Sequence, residues 1–256
     1  MLKKRIIPCL DIKNAQVVKG ISFNNLSYIG NPVEYAKNYE KQCADEIVFL
    51  DITASYENRD IRKEVITKGA NKLSIPLTVG GGIRTIEDFR EILKCGADKV
   101  SINSAAVKNP ELIRVAAKEF GSQCVVVAID GKRDENGNFK VFIKGGRENT
   151  RIDLSDWAKQ CERLGAGEIL LTSIDADGTK RGYDIEMIKL VCKNANIPII
   201  ASGGCGKIQD IVNVFKETNC DAALIASILH YGETTIEEIK KELYKNNINI
   251  RRLTNN

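Results

Sequence analysis

Short apolar runs recur along the chain, with amphipathic stretches between them. Runs rich in Val, Ile and Leu fall at 5–10, 46–51, 76–80, 98–103, 124–129, 168–173, 197–201 and 222–226, bounded by Gly, Asp, Asn or Ser. Such runs predict parallel strands buried under helices. The segments between them show helical spacing. Ile86, Phe89, Ile92 and Leu93 share one face after Thr85-x-x-Asp88, which predicts a capping box with Asp in place of Glu. Asn109-Pro110 predicts an N-cap with proline at the first helical position, ahead of Leu112, Ile113, Ala116 and Phe120. Leu154, Trp157, Cys161 and Leu164 repeat in the same way and end at Gly165. Thr235 with Glu238 opens a last helix carrying Ile236, Ile239 and Leu243. Eight such strand–helix units in 256 residues predict an α/β chain closed as a (β/α)8 TIM barrel, with a doubly wound open sheet as the competing fold.

An internal repeat favours the barrel. Residues 44–52 (ADEIVFLDI) match 166–174 (AGEILLTSI), and 75–82 (IPLTVGGG) match 197–204 (IPIIASGG), both at an offset of 122. Asp98 and Ser104 match Asp221 and Ser227 at 123. Two halves built alike, about 1–122 and 123–256, close naturally into a single domain with a twofold half-barrel repeat. Two connections are long. Residues 12–31, carrying Lys19 and Gly20, read as a lid, and 131–152 contain an Asp134–Asn138 turn that suggests a small hairpin. Asn255-Asn256 reads as a frayed end.

Composition narrows the chemistry. The chain is 43% apolar and 28% charged, with no apolar stretch near the ~20 residues that span a bilayer. Its start, Met-Leu-Lys-Lys-Arg, runs straight into a strand, so a cytoplasmic location without membrane association is expected. Eight cysteines without C-x-x-C spacing read as reduced, packing side chains. The one histidine, His230, is expected at a strand end or in a loop. A His-rich metal site is therefore excluded, no cofactor is indicated, and acid–base work falls to carboxylates, lysine or tyrosine. The net charge of +4 is dispersed, which suits a small anion and disfavours nucleic acid.

Candidate chemistry lies at the strand ends, where barrels of this class carry their sites. Asp11 closes the run from Arg5, and Asp130 closes the run from Cys124. Two opposed carboxylates can divide acid and base roles if their environments separate their proton affinities. Gly80-Gly81-Gly82 with Asn103-Ser104, and Gly203-Gly204 with Ala226-Ser227, form repeat-related pairs of anion cradles. They predict a long substrate with a phosphate at each end. Strand parity adds an interior. If Asp11 faces inward, so do Arg5, Ile7 and Cys9; Asn103 brings Ser101 and Lys99, Thr172 brings Leu170 and Glu168, and Leu50 brings Val48 and Glu46. Small or polar groups at Cys9, Thr78, Ser101, Ala128 and Thr172 predict a polar passage above a charged ring of Arg5, Glu46, Lys99 and Glu168.

Taken together, residues 5–11 (RIIPCLD), 49–55 (FLDITAS), 78–84 (TVGGGIR), 98–106 (DKVSINSAA), 121–130 (GSQCVVVAID), 165–174 (GAGEILLTSI), Asp177-Gly-Thr179 and 200–204 (IASGG) resemble the cyclase subunit of imidazole glycerol phosphate synthase over about residues 3–252. The resemblance implies histidine biosynthesis. It implies a lyase that takes phosphoribulosyl-formimino-aminoimidazole carboxamide ribotide and ammonia to imidazole glycerol phosphate and aminoimidazole carboxamide ribotide. It further implies a glutaminase partner docked at the bottom of the barrel to supply the ammonia. By position, Asp11 and Asp130 are the implied catalytic pair and Lys19 the lid lysine. Gly82, Asn103 and Ser104 match one phosphate site, while Gly178, Gly204, Ala226 and Ser227 match the other, with Gly81, Asp177 and Gly203 as further implied substrate-binding residues. Asp51, Thr172 and Ser202 are implied cavity residues, the charged ring an ammonia gate, and Asp98 and Gln123 the partner side.

Some positions depart from the family pattern. Asn14-Ala15-Gln16 stands where Asp-Gly-Arg is common, Arg151 takes a frequent glycine position, and Asn58, Gly131 and Cys205 also differ. Three rival functions remain: the sister isomerase of the same pathway, a paralogue that amidinates a sugar, and a subunit that only activates a glutaminase. The charged ring speaks against the first, both cradles against the second, and the two aspartates against the third.

Overall fold

The eight apolar runs become the staves of a closed barrel. The computed structural model describes residues 3–21, 24–51 and 63–251; Asn58, Asn255 and Asn256 lie outside them. In chain order the strands are β1 (Arg5–Lys13), β2 (Gln16–Ile21), β3 (Asn24–Gly30), β4 (Ile47–Asp51), β5 (Leu77–Gly80), β6 (Lys99–Ile102), β7 (Val125–Arg133), β8 (Phe139–Ile143), β9 (Glu148–Asp153), β10 (Glu168–Ser173), β11 (Ile199–Ser202) and β12 (Ala222–Ile225). The helices are α1 (Pro32–Lys41), α2 (Lys63–Ala70), α3 (Ile86–Lys94), α4 (Ser104–Lys108), α5 (Glu111–Phe120), α6 (Leu154–Leu164), α7 (Ile185–Asn194), α8 (Ile208–Glu217), α9 (Ser227–His230) and α10 (Ile236–Lys245). Parallel pairing runs β1-β4-β5-β6-β7-β10-β11-β12 and returns from β12 to β1, so all eight staves have two neighbours and the open sheet is excluded. Among the described residues, no helix is long and apolar enough to cross a membrane.

The period-two pattern sorts the core into two compartments. Ile6, Leu10, Ile47, Phe49, Val125, Val127 and Ile129 face outward into the layer shared with the helices. Ile7, Cys9, Val48, Val126, Leu170, Ile200, Ala222 and Leu224 face inward and pack with Leu50 and Ala128. The inward layer is therefore more apolar than the sequence suggested. Ile200 on β11 and Leu224 on β12 add bulk there, as does Val126, two residues before Ala128 on β7. The polar passage expected there is reduced to isolated groups such as Ser101.

The helix termini follow their local signals. Thr85 and Asp88 form the expected capping box, and Lys207 with Asp210 repeats its backbone half, the Asp210 carboxylate accepting from the N–H groups of Gly206 and Lys207. Thr235 and Glu238 form a third box. Gly165 ends α6 in the left-handed region at φ +101°. The Asn109 side chain does not cap α5. Pro110 takes the cap position, and the N–H of Leu112 donates instead to the backbone carbonyl of Asn109.

Both long connections are antiparallel ribbons. β2 and β3 extend β1, and β8 and β9 extend β7. The segment expected to form a lid is thus strand-built in its described residues, and the small hairpin at 131–152 belongs to a three-stranded ribbon whose Asp134–Asn138 turn is closed by the Asp134 carboxylate. The β1–β2 turn is a two-residue loop with φ +51° at Asn14 and +62° at Ala15. A hairpin of this kind needs positive φ at both positions. Arg151, the other departure toward a non-glycine residue, has φ +63°. Both substitutions therefore place a Cβ in the region where it clashes with the backbone. Ala15→Gly is expected to stabilise the chain by about 0.5–1 kcal/mol, the relieved strain exceeding the added entropy of the unfolded chain. A denaturant midpoint that falls in this variant would contradict the strain.

Candidate active site

The mouth at the C-terminal ends of the staves is framed by two carboxylates. Asp11 shares the inward face of β1 with Ile7 and Cys9, and Asp130 shares that of β7 with Val126 and Ala128. β1 and β7 are four places apart either way around the barrel, so the two aspartates face each other across it. The thiol of Cys9 donates to Asp11 Oδ1 at 3.8 Å. The amide of Asn103 donates to Asp130 Oδ2 at 3.0 Å. Burial pushes the Asp130 carboxyl up to about 6; the Asn103 donor pulls the other way, and the charge of Asp177 adds to the rise. Asp130 thus holds a proton far more readily than an exposed aspartate near pH 6. Asn103→Ala removes the donor to the ionised form and is expected to move this titration above about 6. Carboxyl 13C NMR of Asp130 reads the shift, and an unmoved or lowered midpoint would contradict it.

The cradles are twins in backbone geometry. Asn103 precedes α4 with φ −126° and ψ −94°, and Ala226 precedes α9 with φ −130° and ψ −79°. Gly81 and Gly203 have φ +95° and +90°. A Cβ at Gly81 would lie 2.2 Å from the carbonyl oxygen of Asp51, and one at Gly203 would lie 2.8 Å from that of Ser173. Only glycine lets these turns pack on the neighbouring stave. Gly82, Gly178 and Gly204 also have positive φ, at +72°, +76° and +96°. Ser104 Oγ accepts from the backbone N–H of Lys144 at 3.1 Å, which brings the β8–β9 turn over the first cradle. Nothing in the sequence pattern marked Lys144 for that contact.

Thr172 and Ser202 are paired residues on the inward faces of β10 and β11. Asp177 follows β10, its N–H donating to the carbonyl of Ser173 at 2.9 Å. Asp51 is buried on the opposite face of its strand: it has the parity of Phe49, not of Val48 and Leu50, and adjoins the seam with Val65, Ile66 and Val79. Lys19 has its backbone on β2, and its side chain lies outside the described residues.

At the other end, four charges close the interior. Arg5 bonds Glu46 at 2.9 Å and also Glu168. Lys99 bonds Glu46 at 2.8 Å and Glu168 at 3.0 Å. Each cation bridges both carboxylates, and Thr78 Oγ1 donates to Glu46 Oε1 at 2.6 Å. Burial works against the Arg5 cation, but Glu168 and then Glu46 outweigh it and raise its proton affinity. Beside the ring, Asp98 and Gln123 are exposed. The Asp98 carboxylate also accepts from the N–H of Leu77 at 2.8 Å, as its repeat mate Asp221 does from Ile199 at 3.1 Å, so both tie adjacent staves together.

This fold and this mouth place the molecule among the (β/α)8 barrels that carry their polar groups on the strand ends. Residues 5–235 match the family described as histidine biosynthesis protein, and the chain belongs to that family. It is 69% identical over 249 residues to the imidazole glycerol phosphate synthase subunit HisF of Lactococcus lactis subsp. cremoris (strain SK11), covering 97% of this chain and 96% of that one. The protein of the same name in Methanococcus vannielii is 58% identical, with 98% of this chain and 100% of that one aligned. The one in Clostridium botulinum (strain 657 / Type Ba4) is 57% identical, with the same two coverages.

Proposed function

We propose that this chain is the cyclase subunit of an imidazole glycerol phosphate synthase. It adds ammonia to phosphoribulosyl-formimino-aminoimidazole carboxamide ribotide and releases imidazole glycerol phosphate, aminoimidazole carboxamide ribotide and one water, whose oxygen is that of the ribulosyl carbonyl. The observation that carries the reading is the facing of Asp11 and Asp130 across a barrel mouth whose two halves present twin glycine-and-short-helix cradles. A substrate with a phosphate at each end would span the cradles and lay its reacting centre between the two acids.

Asp130, which keeps a proton up to about pH 6, is the better placed to give one to the departing oxygen. Asp11 is then the group that takes protons from the attacking nitrogen. Gly81, Gly82, Asn103 and Ser104 would hold one phosphate; Gly178, Gly203, Gly204, Ala226 and Ser227 the other. Thr172, Ser202 and Asp177 would line the middle, with Lys19 closing from the β2–β3 ribbon. Backbone N–H groups suit this binding because they carry no counter-charge to displace.

Ammonia would come through the barrel from a glutaminase subunit docked at the bottom, near Asp98 and Gln123. The ring of Arg5, Glu46, Lys99 and Glu168 would be its gate. Above the ring, the apolar layer of Ile7, Val48, Val126, Leu170, Ile200 and Leu224 suits neutral NH3. An ammonium ion would lose its hydration there without gaining a partner. Buried, unpartnered Ser101 Oγ offers a single polar stop on β6, between Lys99 and Asn103.

The reading is tested with purified chain, the phosphoribulosyl substrate and ammonium at alkaline pH. Substrate loss with formation of both products is expected. Glutamine in place of ammonium should give no product without a partner. Absence of turnover with ammonium would refute the cyclase reading.

A further inference from the structure

The two halves hold their aspartates differently. In one half, Asn103 at the N-terminal cap of α4 reaches the neighbouring stave and donates directly to Asp130. Its repeat mate at the cap of α9 is Ala226, whose methyl group has nothing to donate to the neighbouring Asp11. The tie on that side comes from the other end of the same short helix.

His230 is the last residue of α9, not part of a strand end or loop. It is 8% exposed. Its Nε2 lies 2.9 Å from the carbonyl oxygen of Cys9, and its Nδ1 lies 2.6 Å from the hydroxyl of Tyr39. A carbonyl only accepts, so Nε2 carries the hydrogen. In the neutral ring Nδ1 then accepts from the Tyr39 O–H. Tyr39 belongs to α1, and its ring is stacked on the imidazole at 5.9 Å between centroids. Tyr35, one turn earlier on α1, meets the imidazole edge-on at 6.1 Å and donates its hydroxyl to the carbonyl of Ile29 on β3.

Cys9 is the residue whose thiol donates to Asp11. His230 therefore grips, through the main chain, the residue that touches the Asp11 carboxylate. The same imidazole fixes the far end of the helix whose first residue is Ser227. Through Tyr39 and Tyr35 it is braced against the base of the β2–β3 ribbon. The other half has no equivalent: Val107 stands at the repeat position of His230, and Ala128 at that of Cys9.

We propose that His230 is a positioning residue for Asp11, doing from the end of α9, through Cys9, what Asn103 does directly for Asp130. The inference rests on the cyclase reading for the reaction that Asp11 serves, and on the geometry alone for the bond. Without the imidazole, β1 keeps its ladder but the turn of chain beneath Asp11 loses its fixed distance to the second cradle. The consequence falls on the rate of the chemical step more than on substrate affinity, because no group of either cradle is removed.

The test uses the full chain with His230→Leu, which removes the donor, and His230→Gln, whose Nε2–H can replace it. With ammonium as nitrogen source, His230→Leu is expected to lower kcat about tenfold to a hundredfold, within the range for a displaced catalytic group, with KM changed less than about threefold. His230→Gln should recover most of kcat. Thermal melts confirm that both variants are folded. A kcat for His230→Leu within twofold of the parent, or equal losses in both variants, would overturn the proposal. The single imidazole supplies a readout independent of turnover. Its 15N spectrum should show the neutral ring protonated on Nε2, and the opposite tautomer would overturn the bond itself. A parent chain silent with ammonium would defeat the cyclase reading, and the tautomer would then decide the bond alone.

Discussion

Asp11→Asn and Asp130→Asn are each expected to lower ammonia-dependent turnover by about 10²–10⁴-fold, the span of general acid–base contributions, with substrate binding largely kept. The substitution is nearly isosteric, so the mouth retains its shape. At position 130 the amide oxygen can still accept from Asn103, which bonds Asp130 at 3.0 Å in the parent. What is lost is the proton. Asp130 holds one up to about pH 6 because burial and the nearby Asp177 charge disfavour its ionised form. A carboxamide does not titrate at any accessible pH, so it cannot serve as general acid or base. The two losses should not multiply, since acid and base serve one reaction coordinate. Steady-state turnover with ammonium, alongside binding of the substrate to each variant, separates the effects. Either variant turning over within tenfold of the parent would remove that aspartate from the mechanism.

Lys240→Met is expected to destabilise the fold by about 3–5 kcal/mol, a large part of the 5–15 kcal/mol typical of a whole domain. Lys240 on α10 and Asp45, just ahead of β4, form an ion pair at 2.8 Å with side chains only 1% and 2% exposed. Asp45 also accepts from the backbone N–H of Ile6 at 2.8 Å, so one carboxylate fastens β1, β4 and the last helix together. Removing the cation strands a buried negative charge with only that donor left. Replacing both partners, Asp45→Asn with Lys240→Met, should recover most of the loss because no buried charge remains. Denaturant midpoints for the two variants decide the matter. A loss under about 1 kcal/mol in Lys240→Met would mean that water reaches the pair.

The repeat mate of Asp45 is Gly167, where a Cβ would come within 2.1 Å of the carbonyl oxygen of Ser122. The seam is therefore ionic in one half and a close backbone contact in the other. The same divergence of twins separates Asn103 from Ala226 and His230 from Val107. Function needs two cradles but two unlike acids, and the half-barrels differ where they touch those acids.

Legibility followed the range of the interaction. Capping boxes at Thr85 and Thr235 and the stop at Gly165 depend on residues within one turn, and they formed as their local pattern predicts. Inward parity on β1, β4, β6, β7 and β10 could be followed because side chains alternate along any strand. Asp51, implied by the family pattern, has the parity of Phe49 and is buried beside Val65, Ile66 and Val79. The long connections were legible as special but not as ribbons. Strand pairing of Val17 with Gly30, or of Asp130 with Phe142, is decided by partners well outside a local window.

By itself, the sequence determined the order of the staves and of the helices between them, the twofold repeat, the inward parity of several staves and where the glycines permit close approach. These are properties of short segments, set by backbone sterics and by the periods of strand and helix. Only the tertiary structure decided that β12 returns to β1 and that each cation of the ring bridges both carboxylates. It alone lifted the proton affinity of Asp130 and brought His230 to Cys9 across 221 residues. Those features require barrel closure, because burial and long-range contact exist only after the staves have met.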